Sequence, residues 1–229
     1  MTKALIEKLR GGLIVSCQAS ESDPTFGAEM MVAFARAAHL GGAKAIRANG
    51  VSDVRAIKQT VPLPLIGIQK EKGADGATLI TGSAQAALEI VTAGADIVAL
   101  DATQRPRPGG LTAADLIAQI RRRTDAPIMA DVETLEQGIA AAAAGAHIVA
   151  TTLSVFHCPP YTPDLQLIAS LVANVRVPVI AEGNFWTPED VRKAFVLGAH
   201  AVVVGSAITR PWLITERFAA AIPSALRQK

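Results

Sequence analysis

"AGADIVALD", residues 93–101, carries three signals in nine residues: the end of an alanine-rich helix, a glycine that stops it, and an apolar strand closing on a carboxylate. The pattern recurs as "GGAKAIR" at 41–47, "AGAHIVATT" at 144–152 and "LGAHAVVVGSA" at 197–207. Ala43, Ala95, Ala146 and Ala199 mark it at intervals of 52, 51 and 53 residues. Glycine is the natural terminator, because a helix often ends on a residue in the left-handed conformation. A second series falls between: "LPLIGIQK" at 63–70, "APIMADV" at 126–132 and "VPVIAEG" at 177–183. There a proline opens the strand, where its missing N–H costs least. "GGLIVSCQ" at 11–18 supplies one more strand.

The count is eight apolar strands, with helices most legible at 27–40, 83–93, 111–123, 133–144, 163–173 and 187–197. Apolar strands alternating with helices predict a parallel sheet covered on its outside. Eight such units predict a (β/α)8 barrel filling 1–229 as one domain, the repeat of about 50 residues being two βα units. An open doubly wound sheet would call for a glycine-rich loop after the first strand, and none is present.

Composition agrees. The chain has 229 residues, 50% hydrophobic and only 4% aromatic, so its core must be built from Ala, Val, Ile and Leu. A net charge of +2 gives no general attraction to nucleic acid or anionic membrane. The basic run Arg121-Arg122-Arg123 falls at a helix C-terminus, where cations suit the dipole. Two cysteines, Cys17 and Cys158, suggest no disulfide framework. With no signal peptide or membrane-length apolar run, a cytoplasmic protein is expected. The apolar stretch 211–226, with Trp212, Leu213, Ile214 and Phe218, suggests a homodimer.

Barrel active sites lie at the C-terminal ends of the strands. Those ends read Ser16-Cys17-Gln18, Arg47, Gln69-Lys70, Asp101, Asp131, Thr151-Thr152, Glu182-Gly183-Asn184 and Gly205-Ser206. A core does not need charges there, and burying them unpaired would be costly. Phosphate sites in barrels favour the last two loops. Gly183, Asn184, Gly205 and Ser206 can offer backbone N–H groups, the helix expected after Gly205 would add its positive end, and Arg210 would lie one turn into that helix. Lys70 and Glu182 would face each other across the mouth. An amine whose pKa is lowered by apolar walls could take a proton next to a carbonyl. A plain ion pair closing the barrel top fits the same residues. His147 and His200 enter strands at the opposite face and read as structural. His157 beside Cys158 has poor ligand geometry, and no metal site is expected.

"GGLIVSCQ", "AIRANG", "PLIGIQK", "IVALDATQRPRP", "IMADV", "IVATTLS", "VIAEGNFWTPED" and "AVVVGSAITRP" together resemble the N-acylglucosamine-6-phosphate 2-epimerase family, also called N-acetylmannosamine-6-phosphate epimerases. The likeness runs nearly end to end. It implies interconversion of N-acetylmannosamine 6-phosphate and N-acetylglucosamine 6-phosphate in amino-sugar and sialic acid breakdown, without an organic cofactor. It also implies a catalytic lysine at Lys70 working with Glu182. Gln18, Arg47, Asp131 and Arg210 would bind the phosphorylated amino sugar. Two other functions suit the scaffold: a Schiff-base aldolase or lyase using Lys70 as nucleophile, and a phosphosugar-binding barrel without chemistry.

Overall fold

In a computed structural model describing residues 2–73 and 76–223, eight parallel strands close into a barrel. They are β1 (Gly12–Cys17), β2 (Ala45–Asn49), β3 (Leu65–Ile68), β4 (Ile97–Asp101), β5 (Ile128–Asp131), β6 (Ile148–Ala150), β7 (Val179–Glu182) and β8 (Ala201–Val204). Neighbours follow chain order, and β8 closes on β1 with Gly12 opposite Ala201 and Val15 opposite Val204. Pro64, Pro127 and Pro178 stand just before β3, β5 and β7. Their carbonyls accept from the N–H groups of Ile46, Val98 and Val149, so each proline joins the ladder through the one group it retains.

Side chains alternate across each strand. Ile14, Ala45, Ile66, Ile97, Ala99, Met129, Ile148, Ile180 and Ala201 fill the interior. The other parity, including Val98, Leu100, Ile128, Ala130 and Val149, packs beneath the helices. Arg47, Asp131 and Glu182 lie two residues beyond Ala45, Met129 and Ile180, so they share the inward parity and form the top of the interior. A one-residue slip of register would turn each of them toward the helix layer.

The helices α2 (Ala28–Leu40), α3 (Val51–Thr60), α4 (Ala84–Ala93), α5 (Ala113–Arg121), α6 (Leu135–Ala144), α7 (Leu165–Asn174) and α8 (Pro188–Val196) cover the outside, after the short N-terminal α1 (Thr2–Glu7). Gly94 and Gly145 end α4 and α6 in the left-handed conformation, as the repeated Gly-Ala pattern predicts. α1 caps the bottom of the barrel, with Ile6 and Leu9 buried against the interior cluster. His200 Nε2 lies 2.9 Å from the Ile6 carbonyl, and His147 Nδ1 accepts from the Ile128 N–H at 3.1 Å. Both histidines hold the bottom together, far from the strand ends. Cys17 faces α2, and burial pushes its thiol up to about 12.

Two features depart from the sequence reading. Lys70 does not end β3, which stops at Ile68. It opens a two-stranded antiparallel hairpin, Lys70–Lys72 against Thr78–Ile80, at the barrel mouth. The hairpin's base is closed by the Thr81 N–H on the Gln69 carbonyl at 2.7 Å. Arg210 does not lie inside a helix either. It joins the four-residue α9 (Ser206–Thr209) to α10 (Pro211–Ala220). No residue of α10 is fully buried, and Phe218 is exposed. The end of the expected apolar stretch, 224–226, lies outside the described residues. No described helix is long and apolar enough to cross a membrane.

Gly67, on the outer face of β3, lets α4 lie directly on the strand. A Cβ there would stand 2.3 Å from Ile90 Cγ2 and 2.6 Å from Ala95 Cβ. Gly67→Ala should therefore cost about 1–3 kcal/mol by overpacking. For a chain of this size each kcal/mol lowers Tm by about 2–4 °C. Thermal denaturation checks this, and an unchanged Tm would contradict the close packing.

Candidate active site

Arg47 on β2 is the centre of the mouth. Its guanidinium is 1% exposed and reaches across the barrel to β5, with Nη2 to Asp131 Oδ2 at 2.6 Å and Nη1 to Asp131 Oδ1 at 3.1 Å. Nη1 also reaches Glu182 Oε2 on β7 at 2.9 Å. Burial disfavours this cation, but Asp131 and Glu182 outweigh that and hold its pKa above the ordinary arginine value. Arg47 Nε is buried with no protein partner. Asp131 is fully buried, and its Oδ1 also accepts from Thr152 Oγ1 at 2.7 Å. Direct contact with a ligand was the expectation for Asp131. Its carboxylate lies beneath Arg47, fully buried with both oxygens engaged.

Glu182 keeps 12% of its side chain exposed, toward the cleft. Burial pushes its carboxyl up to about 7, against the pull of Arg47, and Asp131 beside the same cation adds to the rise. Thr151 fixes its backbone, donating from Oγ1 to the Glu182 carbonyl at 2.8 Å and accepting from the Glu182 N–H at 3.0 Å. Thr151 and Thr152 stood among the strand ends without an assigned task. Only the spatial neighbourhood of β5, β6 and β7 gives them one.

Lys70 lines the same cleft from the hairpin. Its backbone N–H donates to Asn49 Oδ1 at 2.9 Å, tying the hairpin base to the end of β2. Desolvation, then the cations Arg47 and Arg210, hold its ammonium below the ordinary lysine range, while Glu182 and Asp23 act in the opposite sense. Among the described residues its amine makes no ion pair.

The far side of the cleft, of about 610 Å³, is lined by Gly183, Asn184, Gly205, Ser206 and Arg210. Gly183 has φ +112°, and a Cβ would sit 2.6 Å from Val155 Cγ1, so only glycine fits. Asn184 follows in the left-handed region at φ +56°. Successive backbone N–H groups in such turns form anion-binding concavities. α9 is one turn long and adds little dipole, so the positive character of this end comes from the N–H groups and Arg210. Arg210 is 35% exposed and pairs with Asp23 Oδ2 at 3.4 Å. Asp23 lies in the loop after β1 and carried no sequence signal. Gln18 lines the cleft beside it, donating to Ser16 Oγ at 2.7 Å.

On the opposite rim Asp101 organises the loop after β4. It accepts from Thr103 Oγ1 at 2.6 Å and Arg105 Nη1 at 3.1 Å. Arg107 turns inward and donates to the Asp101 and Thr103 carbonyls at 2.6 and 2.8 Å. Arg105 lines the cleft, and Arg107 is structural. No group of three or more His, Cys, Asp or Glu among the described residues is arranged to hold a metal ion.

Known proteins resemble this chain over most of its length. The family model described as "Putative N-acetylmannosamine-6-phosphate epimerase", NanE, matches residues 31–224. A protein named "Putative N-acetylmannosamine-6-phosphate 2-epimerase" from Caldanaerobacter subterraneus is 46% identical over 222 residues, 95% of this chain and 94% of that one. One from Clostridioides difficile is 44% identical, covering 95% and 99%. The solved structure of the N-acetylmannosamine-6-phosphate 2-epimerase from Clostridium perfringens superposes with a TM-score of 0.90 at 41% identity, covering 95% of this chain and 96% of that one. With a family model over most of its length and relatives alike nearly end to end, the chain belongs to the NanE family.

Proposed function

We propose that the protein interconverts N-acetylmannosamine 6-phosphate and N-acetylglucosamine 6-phosphate, an N-acylglucosamine-6-phosphate 2-epimerase. The observation that carries this reading is a single cleft with an amine of lowered pKa and a buried carboxylate at its centre and an anion-binding turn pair at one end. The relatives' names supply the substrate.

The C2 hydrogen is acidic only when C1 is an aldehyde, so the sugar reacts in its open-chain form. Lys70 takes the C2 proton, the electron pair moves into the C1 carbonyl to give an enolate, and a proton returns to C2 on the other face. Lys70 is also the donor, after the open-chain enolate turns about the bond between C2 and C3 to present its other face to the ammonium. A positioned base is worth roughly 10²–10⁴-fold. Arg47, held flat by Asp131, directs its remaining N–H donors at the oxygen on C1, where negative charge develops. Glu182 orients Lys70 and accepts from a sugar hydroxyl. Gln18 contacts the sugar, while Gly183, Asn184, Gly205, Ser206 and Arg210 bind the phosphate. The reaction moves one proton off and onto C2 and changes no oxidation state, so it requires no organic cofactor.

Incubating the protein with N-acetylmannosamine 6-phosphate and following the second epimer by proton NMR tests the reading directly. Lys70→Ala should abolish interconversion and leave substrate binding within a few-fold. In D₂O the wild type should place deuterium at C2 of the product. Substantial turnover by Lys70→Ala would remove it as the base.

The pH profile separates the two groups. Lys70 must be neutral to accept the proton, so kcat/KM rises with pH along an acid limb set below the ordinary lysine range. Glu182 favours the ammonium, so removing its charge lowers the Lys70 pKa. Glu182→Gln should shift this limb to lower pH, and an upward shift would contradict the coupling.

Arg210→Ala should raise KM on the order of tenfold. A hydrogen bond to a charged group is worth about 1.5–3 kcal/mol, and the partial exposure of Arg210 favours the lower end. An unchanged KM would remove it from the phosphate site.

A further inference from the structure

We propose that Arg105 and Phe156 form the subsite that receives the N-acyl group of the sugar, with Arg105 donating to the acyl carbonyl and Phe156 covering the acyl methyl. The inference rests on the epimerase reading and adds a specificity-determining pair to it.

Direction comes from the barrel order. The anion-binding turns follow β7 and β8, and the strands across the mouth from them are β3 and β4. A sugar whose C6 phosphate lies on those turns runs across the mouth, and its C2 end arrives where Lys70 follows β3 and Arg105 follows β4. The substituent on C2 then faces Arg105 and Phe156, both of which line the cleft.

Chemistry agrees with direction. Arg105 is held between two carboxylates, with Nη1 on Asp101 Oδ2 at 3.1 Å and Nη2 on Glu133 Oε2 at 3.4 Å. Its charge is therefore compensated, which suits a neutral acceptor such as an amide carbonyl better than a phosphate. Those bonds engage two of its five N–H donors. Phe156 lies with its ring 5.0 Å from the Arg105 guanidinium and is 67% exposed. A large ring open to a polar cleft offers the small apolar surface that an acyl methyl needs.

The test is steady-state kinetics on the wild type, Arg105→Met and Phe156→Ala, using N-acetyl- and N-butanoylmannosamine 6-phosphate. Inorganic phosphate serves as competitive inhibitor to report the other end of the cleft. Arg105→Met should raise KM for the N-acetyl substrate on the order of tenfold, with kcat within a few-fold and the phosphate Ki unchanged. Phe156→Ala should reduce the preference for the N-acetyl over the N-butanoyl substrate several-fold. An unchanged KM in Arg105→Met, or a phosphate Ki that rises as much as KM, would overturn the subsite. If Arg105→Met fails to fold, the selectivity of Phe156→Ala decides, and an unaltered preference overturns the proposal. A wild type that converts neither substrate would overturn the epimerase reading and the subsite together. Wild-type conversion with both variants unaffected would overturn the subsite alone.

Discussion

One buried guanidinium holds the top of this barrel. Arg47 ties β2 to β5 and β7 across the interior, and neither carboxylate it meets has another cation within ion-pair distance among the described residues. Removing one partner of such a network leaves an uncompensated buried charge, typically at a cost of about 3–5 kcal/mol. The arrangement is also unbalanced by design: two carboxylates share one cation. Asp131 takes the bidentate contact, Glu182 receives a single bond, and the residual negative charge sits where Lys70 looks into the cleft. Structural and chemical demands thus meet in one set of side chains.

The two ends of the cleft differ for the same electrostatic reason. Arg210, about a third open to solvent, has only Asp23 at 3.4 Å and retains attraction for an anion. Arg105 is compensated by Asp101 and Glu133 and offers hydrogen bonds without much net field. Two arginines at opposite ends of one cleft can therefore receive chemically different parts of one ligand.

Much of this was legible in the sequence, because period two is strict in a strand. The Gly-Ala pattern and the proline-led strands give seven of the eight barrel strands, the apolar run "GGLIVSCQ" gives the first, and parity alone brings Arg47, Asp131 and Glu182 to the interior. Gly183 and Gly205 were legible for a similar reason, as glycines at fixed offsets from strand ends. What the sequence concealed depends on neighbours far apart along the chain. "KEKGADGATLI" is too polar to read as a strand, so the hairpin that carries Lys70 had no apolar pattern to reveal it. The depth of Asp131 follows from Arg47 lying over it, a contact between residues 84 positions apart. Asp23 sits in a short polar loop, and only the fold brings it to Arg210. Family resemblance named the residues; it did not say which of them touch solvent.

The seam that pairs Gly12–Val15 with Ala201–Val204 has a consequence for biosynthesis. At ribosomal rates of about 5–20 residues per second, the last strand follows the first by roughly 10–40 s. Until then β1 has a free edge on one side, and α1 has no closed barrel bottom to cap. The His200 contact with the Ile6 carbonyl forms only when that seam closes, so the nascent chain must keep its earliest apolar residues from other partners until nearly its last strand is made.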